Sequence, residues 1–347
     1  MNKNYMVSLM AVVVLYLIAY VGAQLGVGLQ VVFGILVPYA AIILFLVGFC
    51  RRVMGWARSA VPFRITTTCG QQASMPWIKQ AKIDNPSSSI GVVLRMLLEI
   101  VCFRSLFRNS RMKLAGGTRL SYQLELFLWL GALVFHYAFF TVVVRHLRFF
   151  TEPVPFFVTL LEQVDSFLRI EVLYDFLIFG QPTVYLSGLA LFAAALYLFI
   201  RRVVIPQVRY ISLAADFFPL FLIMGIALSG IFMRYFTKVD IVAVKTMTMG
   251  LVTFRPTIPE GVSGVFFAHM FLVSVLLAYF PFSKLMHLGG IFLSPTRNMT
   301  GNTRQVRHVN PWNHPVKVHT YDEYEDDFRD KMVEAGLPVV KTPEEQA

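Results

Sequence analysis

Charge and cysteine are what this chain of 347 residues has least of. Asp, Glu, Lys and Arg make up 15% of it, where a soluble domain carries about a quarter. The three cysteines, Cys50, Cys69 and Cys102, lie far apart and form no Cys-x-x-Cys. That spacing excludes a disulfide framework and a four-cysteine metal cluster, and the absence of Cys-x-x-Cys-His excludes covalently attached c-type haem. Acids are scarce too, 20 against 31 Lys and Arg, for a net charge of +11. Because the excess gathers in particular loops, it reads as a signal of orientation across a membrane and not of nucleic-acid binding.

Apolar sequence stands where charge is missing: 56% of residues are hydrophobic and the mean hydropathy is +0.63. A helix needs about 20 mostly apolar residues to cross a bilayer. Six segments qualify, at 6–24, 31–50, 123–147, 184–205, 213–236 and 264–287, which predicts an all-α integral membrane bundle. Between Arg51 and Arg119 stand twelve Lys and Arg against two acids, Asp84 and Glu99. Arg201, Arg202 and Arg209 follow the fourth segment, whereas 149–183 is acidic, with Glu152, Glu162, Asp165, Glu171 and Asp175 against Arg169. The positive-inside rule then places both basic loops and both termini in the cytoplasm, in a multi-pass protein of the cytoplasmic membrane. Four regions result: two N-terminal spans (1–50), a basic cytoplasmic insert (51–120), a four-helix region (121–290) and a cytoplasmic tail (291–347). Lys3, the first apolar run and Val21-Gly22-Ala23 also resemble a cleavable signal peptide. The run is long for one, so a retained helix is expected.

Four histidines stand in this apolar sequence: His136 and His146 in the third span, His269 and His287 in or bordering the sixth. Ionisable groups inside membrane segments mark functional sites, and neutral imidazole is a common axial ligand of haem iron. At about 100° per residue, His136 and His146 lie roughly 80° apart and His269 and His287 share one face. The axial separations are then about 15 Å and 27 Å. Since the two helices run in opposite directions, the pairs cross: His146 with His269 towards the outside, His136 with His287 towards the cytoplasm. A lone membrane histidine is served as well by a hydrogen bond to a neighbouring helix, worth about 0.6 kcal/mol. Two per helix at matching depths favour shared ligands instead. Pro281 allows a kink before His287, which sits at the membrane edge. The tail histidines His308, His314 and His319 fit no standard metal spacing and read as solvated or partner-contacting.

His136-x9-His146 and His269-x17-His287 resemble the ligand spacing of the nitrate reductase gamma subunit family, five-helix di-haem cytochromes b. Helices two to six would match that core, with the first helix extra. The cytoplasmic segments are similar to the DsrM family of cytochrome b subunits. They are Thr66-Thr67-Thr68-Cys69-Gly70-Gln71-Gln72, Pro76-Trp77-Ile78-Lys79, Phe103-Arg104-Ser105-Leu106-Phe107-Arg108, Leu293-Ser294-Pro295-Thr296-Arg297-Asn298 and Tyr321-Asp322-Glu323-Tyr324. The resemblance implies two haem b, ligated by His146–His269 and His136–His287. It implies an electron-transfer subunit of a quinone-dependent oxidoreductase, with menaquinone as exchangeable substrate. The implied partners are a cytoplasmic DsrK-like iron–sulfur subunit, acting on the disulfide or trisulfide of DsrC, and DsrJ-, DsrO- and DsrP-like subunits. Two other readings stay open: a cytochrome b serving another nitrate-reductase-like or heterodisulfide-reductase-like complex, and a membrane scaffold or transporter without redox chemistry.

In the insert, Ser88–Asn109 reads as an amphipathic helix, with Arg95 and Glu99 spaced for an i,i+4 pair and Val92, Val93, Leu97, Ile100, Val101, Phe103 and Leu106 on its apolar side. Such a helix lies along a membrane interface or offers a platform to the iron–sulfur partner. Arg145 and Arg148 are candidate partners for haem propionates or quinone. Cys69, alone in a polar loop, reads as structural. The tail changes sign, with nine acids against three Lys and Arg over 321–347, and reads as solvated or as docking a basic surface.

Overall fold

In a computed structural model, residues 4–59, 70–115, 119–166, 184–294, 297–304, 306 and 319–340 are described. Cys69, His308, His314 and the acids Glu171 and Asp175 lie outside them. Six described helices are long and apolar enough to cross a membrane, in the order expected, and the chain is a multi-pass membrane protein. They are α1 (Asn4–Gln24), α2 (Val27–Arg58), then, beyond the insert helix α3 (Ser89–Cys102) and the strands β1 (Ser110–Ala115) and β2 (Arg119–Leu124), α4 (Leu126–Phe149). A short helix α5 (Phe156–Asp165) precedes the spans α6 (Leu186–Val204) and α7 (Ala214–Thr237). The short α8 (Ile241–Val252), the span α9 (Gly264–Phe282), α10 (Lys284–Leu293) and α11 (Tyr321–Glu334) complete the order.

The bundle closes by small residues meeting large ones, the usual way for helices that gain little from hydrophobic contrast in lipid. Helix α1 packs against α7 and α9, α2 against α9, and α4 against α6. Ala19 and Ala23 of α1 meet Phe266, Phe267 and Ala268 of α9, while Val12 meets Phe217, Phe221 and Leu272. At the α4–α6 crossing, a Cβ on Gly131 would stand 2.5 Å from the Tyr197 ring, so only glycine permits that approach.

Three features depart from the sequence expectation. The sixth span ends at Phe282 instead of running to His287. Pro281 sits in a 3-10 turn, Ser283 is extended (φ −116°, ψ 178°), and its hydroxyl caps the next turn by accepting the Leu285 N–H at 3.1 Å. The insert helix stops at Cys102, because Phe103 turns left-handed (φ 49°), and the antiparallel β1–β2 hairpin occupies the start expected for span three. Helix α8 appears between the fifth and sixth spans. Asp240 caps it by accepting the Val242 and Ala243 N–H groups, and Thr248 donates to the Phe149 carbonyl at 2.6 Å.

The insert and the start of the tail fold together. Gly301 N–H donates to the Pro86 carbonyl at 2.7 Å, and Gln72 Nε2 donates to Thr303 Oγ1 at 2.7 Å. Asp84 is buried between Arg104, at 3.0 Å, and Arg108. The expected Arg95–Glu99 pair is replaced by a wider arrangement. Arg95 Nη2 donates to the Arg297 carbonyl at 2.8 Å and to Asn298 Oδ1 at 3.3 Å, and Glu99 faces Arg297 at 3.5 Å. Both i,i+4 side chains point inward, where the 297–298 segment satisfies each better than they satisfy each other. Burial, and then the nearby Arg297, lower the Arg95 guanidinium pKa below its ordinary value.

Candidate functional site

Helix α4 carries His136 and His146 ten residues apart, about 15 Å along its axis. Helix α9 carries His269 near its start, and α10 carries His287 at the end of the bundle that bears the insert. The structure brings the four into two pairs. The rings of His146 and His269 have centroids 6.4 Å apart and planes within 15° of parallel. Those of His136 and His287 are 5.9 Å apart and nearly perpendicular, at 81°. The pairing matches the sequence expectation, although its reasoning for His287 does not. That residue reaches His136 from a separate short helix, redirected by the turn at Phe280–Phe282 and the extended Ser283.

The hydrogen bonds fix one tautomer for all four rings. Nδ1 of His136 lies 2.8 Å from the Ala132 carbonyl, Nδ1 of His146 2.6 Å from that of Val142, and Nδ1 of His287 2.9 Å from that of Lys284. A carbonyl only accepts, so each Nδ1 carries the proton. His269 Nδ1 stands 2.9 Å from Ser229 Oγ, whose own hydroxyl donates to the Ile226 carbonyl at 3.0 Å; Ser229 therefore accepts from this ring as well. Every Nε2 is left with its lone pair and, among the described residues, without a hydrogen bond. A metal-bound imidazole is held this way, by an oxygen acceptor on the far nitrogen.

The ring spacings, 6.4 Å and 5.9 Å between centroids, would leave room for a metal ion between the two imidazoles of each pair, each at a bond of about 2 Å. Among the described residues, no group of three or more His, Cys, Asp or Glu stands ready for a bare metal ion. The remaining positions would need a macrocycle. A cavity of about 740 Å³ opens beside His146 and His269, of the size that takes a cofactor. Its walls are mostly apolar, Phe139, Val142, Leu191 and Phe266 among them. At its wall the ring of His269 comes close to Gly230, where a Cβ would meet Cε1 at 3.4 Å. In the other pair, His136 packs against Phe103, with ring centroids 4.9 Å apart, while His287 is exposed.

The same cavity collects cations. Arg145 and Arg148, both anticipated, line it, joined by Arg234 and Lys238. Arg145 is buried against Asp165 at 2.7 Å, and Asp165 also accepts from Ser187 N and Oγ at 2.8 and 2.6 Å. Arg148 pairs with Glu162 at 2.8 Å. Tyr185 lies between two guanidinium groups, Arg145 at 3.6 Å and Arg234 at 4.0 Å from the ring centroid. Sequence reading missed Arg234, Lys238 and Tyr185. For Arg234 the signal was present, an ionisable residue inside the fifth apolar segment.

Comparison with known proteins bears on the whole arrangement. The profile of the nitrate reductase gamma subunit family matches residues 95–308, from within α3 through all four histidines and on past α10. The chain belongs to this family. The "Hdr-like menaquinol oxidoreductase cytochrome b-like subunit" of Archaeoglobus fulgidus is 45% identical over 289 residues, covering 81% of this chain and 83% of that protein. The protein of the same description from Archaeoglobus profundus is 40% identical over 282 residues, covering 79% and 81%.

Proposed function

We propose that this protein is a di-haem cytochrome b subunit of a menaquinol oxidoreductase. It would carry electrons across the membrane between menaquinone and an iron–sulfur subunit on the insert side. The observation that carries the reading is the set of two histidine pairs with every Nδ1–H engaged and, among the described residues, no hydrogen bond at any Nε2. His146 and His269 would hold one haem b, His136 and His287 the other. When bound, haem supplies one-electron chemistry that side chains lack. The chain's own residues bind it, exclude water and orient the rings. Arg145, Arg148, Arg234 and Lys238 place positive charge beside the His146–His269 cavity, suited to carboxylates of a cofactor or to an ionising quinol. The names of the Archaeoglobus relatives and the family match support this assignment.

The finer reading follows the cytoplasmic motifs. The insert side is the cytoplasm, and the electron partner there is a DsrK-like iron–sulfur protein with DsrC disulfide or trisulfide as its substrate, in a complex with DsrJ-, DsrO- and DsrP-like subunits. Transfer between the two ends moves charge across the membrane, about 2.3 kcal/mol per electron for each 100 mV.

A spectrum tests the core of the proposal. Purified protein is expected to show two b-type haems, with His136→Ala and His269→Ala each abolishing one. Well-folded protein without haem would overturn it in favour of a scaffold or transporter. A pull-down that recovers a different iron–sulfur partner would remove the Dsr assignment alone.

A further inference from the structure

Helix α3 presents its polarity the wrong way round for a surface in water. Arg95 and Glu99, on one stripe, are 2% and 6% exposed. Ile90, Val93, Leu94, Leu97 and Val101, on the opposite stripe, are between 52% and 76% exposed. The buried stripe is held from within the chain by Arg297 and Asn298, and Glu99 also receives the Ser105 N–H at 3.2 Å.

The end of α3 shows where the apolar stripe lies. Tyr137 donates its hydroxyl to the Val101 carbonyl at 2.9 Å, and Trp129 Nε1 donates to the Cys102 carbonyl at 2.8 Å. Both donors belong to the membrane-crossing α4, and Tyr137 stands eleven residues beyond Leu126, about 16 Å along the axis. The C-terminus of α3 is therefore packed alongside a membrane-crossing helix, held by Trp129 and Tyr137. It sits beside Leu130, Val134 and Tyr137, which form one exposed stripe on α4. Helix α10, which touches α3, exposes Leu288 and Phe292 as well. The exposed side of α3 is thus continuous with the apolar surface of the bundle. Twelve Lys and Arg against two acids over 51–119 match the charge of an anionic leaflet.

We propose that α3 is an in-plane membrane helix. Its Ile90–Val101 stripe lies among lipid acyl chains of the leaflet at the insert end, while its buried polar stripe is locked to residues 297–298. So placed, it sets Phe103 against His136. The occupant of the stripe is lipid, independent of what the histidines bind.

Depth-dependent quenching tests this. In full-length protein with Cys50, Cys69 and Cys102 changed to Ser, Leu97→Cys and, separately, Val93→Cys are labelled with an environment-sensitive fluorophore. Tyr122→Cys on the exposed hairpin is the control. The labelled proteins are reconstituted alone into phosphatidylcholine–phosphatidylglycerol vesicles. Doxyl-labelled lipid is expected to quench positions 97 and 93 at least about twofold more than position 122, and aqueous iodide to show the reverse order. Iodide quenching at 97 and 93 equal to that at 122 would overturn the proposal. So would shielding from both quenchers, which would mean that protein covers the stripe. Circular dichroism and detergent-solution monodispersity select the variants that have folded, and either labelled position suffices.

Discussion

His269 gives its Nδ1–H to Ser229, a side-chain acceptor, whereas the other three rings use backbone carbonyls. That difference makes one bond open to mutation. Ser229→Ala removes this acceptor from a buried Nδ1–H and loosens the ring's orientation. Haem affinity at the His146–His269 pair is expected to fall about 10- to 100-fold, the usual effect of losing a ligand's oxygen partner. Titration of haem into the apoprotein checks this, with Ser229→Thr retaining affinity. Asp165 is the second residue to test. Its carboxylate, 5% exposed, pairs with an Arg145 guanidinium that is 11% exposed. Asp165→Asn leaves that charge without its counter-ion, at a cost of about 3–5 kcal/mol, expected as a lower unfolding temperature in detergent. Its pairing to Arg145 was beyond the sequence. Asp165 looks like one of several acids in a loop, and only the fold sets it between α4 and the first turn of α6.

The six spans were legible because a helix in lipid must be apolar for its whole length, a constraint strong enough to appear in one sequence. Elements without that constraint were not. The β1–β2 hairpin had a signal in the alternation Leu120-Ser121-Tyr122-Gln123-Leu124 after Gly116-Gly117, masked by the apolar run that follows. Helix α8, at 12 residues, is too short to span and was hidden between two longer segments. The break after Phe282 was half legible. Pro281 announced a change of direction, but where His287 would then point depended on Ser283 and on α3 packing against α10. Ser283→Ala removes the cap on the turn leading into α10, a loss of about 1 kcal/mol. It is expected to weaken haem retention at the His136–His287 pair and leave the other pair unchanged, read from the two resolved steps of a redox titration.

Taken whole, the molecule holds two sites about 15 Å apart along one helix, built from different materials. One is clamped between long helices beside the large apolar cavity; the other is assembled from α4, α10 and the insert. With no shared hydrogen-bond or ring partner among the described residues, they are expected to respond independently. The destabilisation of Ser229→Ala combined with Ser283→Ala should equal the two single effects to within about 0.5 kcal/mol, measured by denaturant unfolding in micelles. The joint at Ser283 also decides how each site tolerates a change in chain length. An extra residue inside α9 turns everything beyond it by about 100° and carries it 1.5 Å along the axis, whereas an extra residue beside the extended Ser283 can be taken up by the loop. An insertion at that joint is therefore expected to disturb the His136–His287 pair less than one inside α9, while the ten-residue step from His136 to His146 has no joint to absorb one.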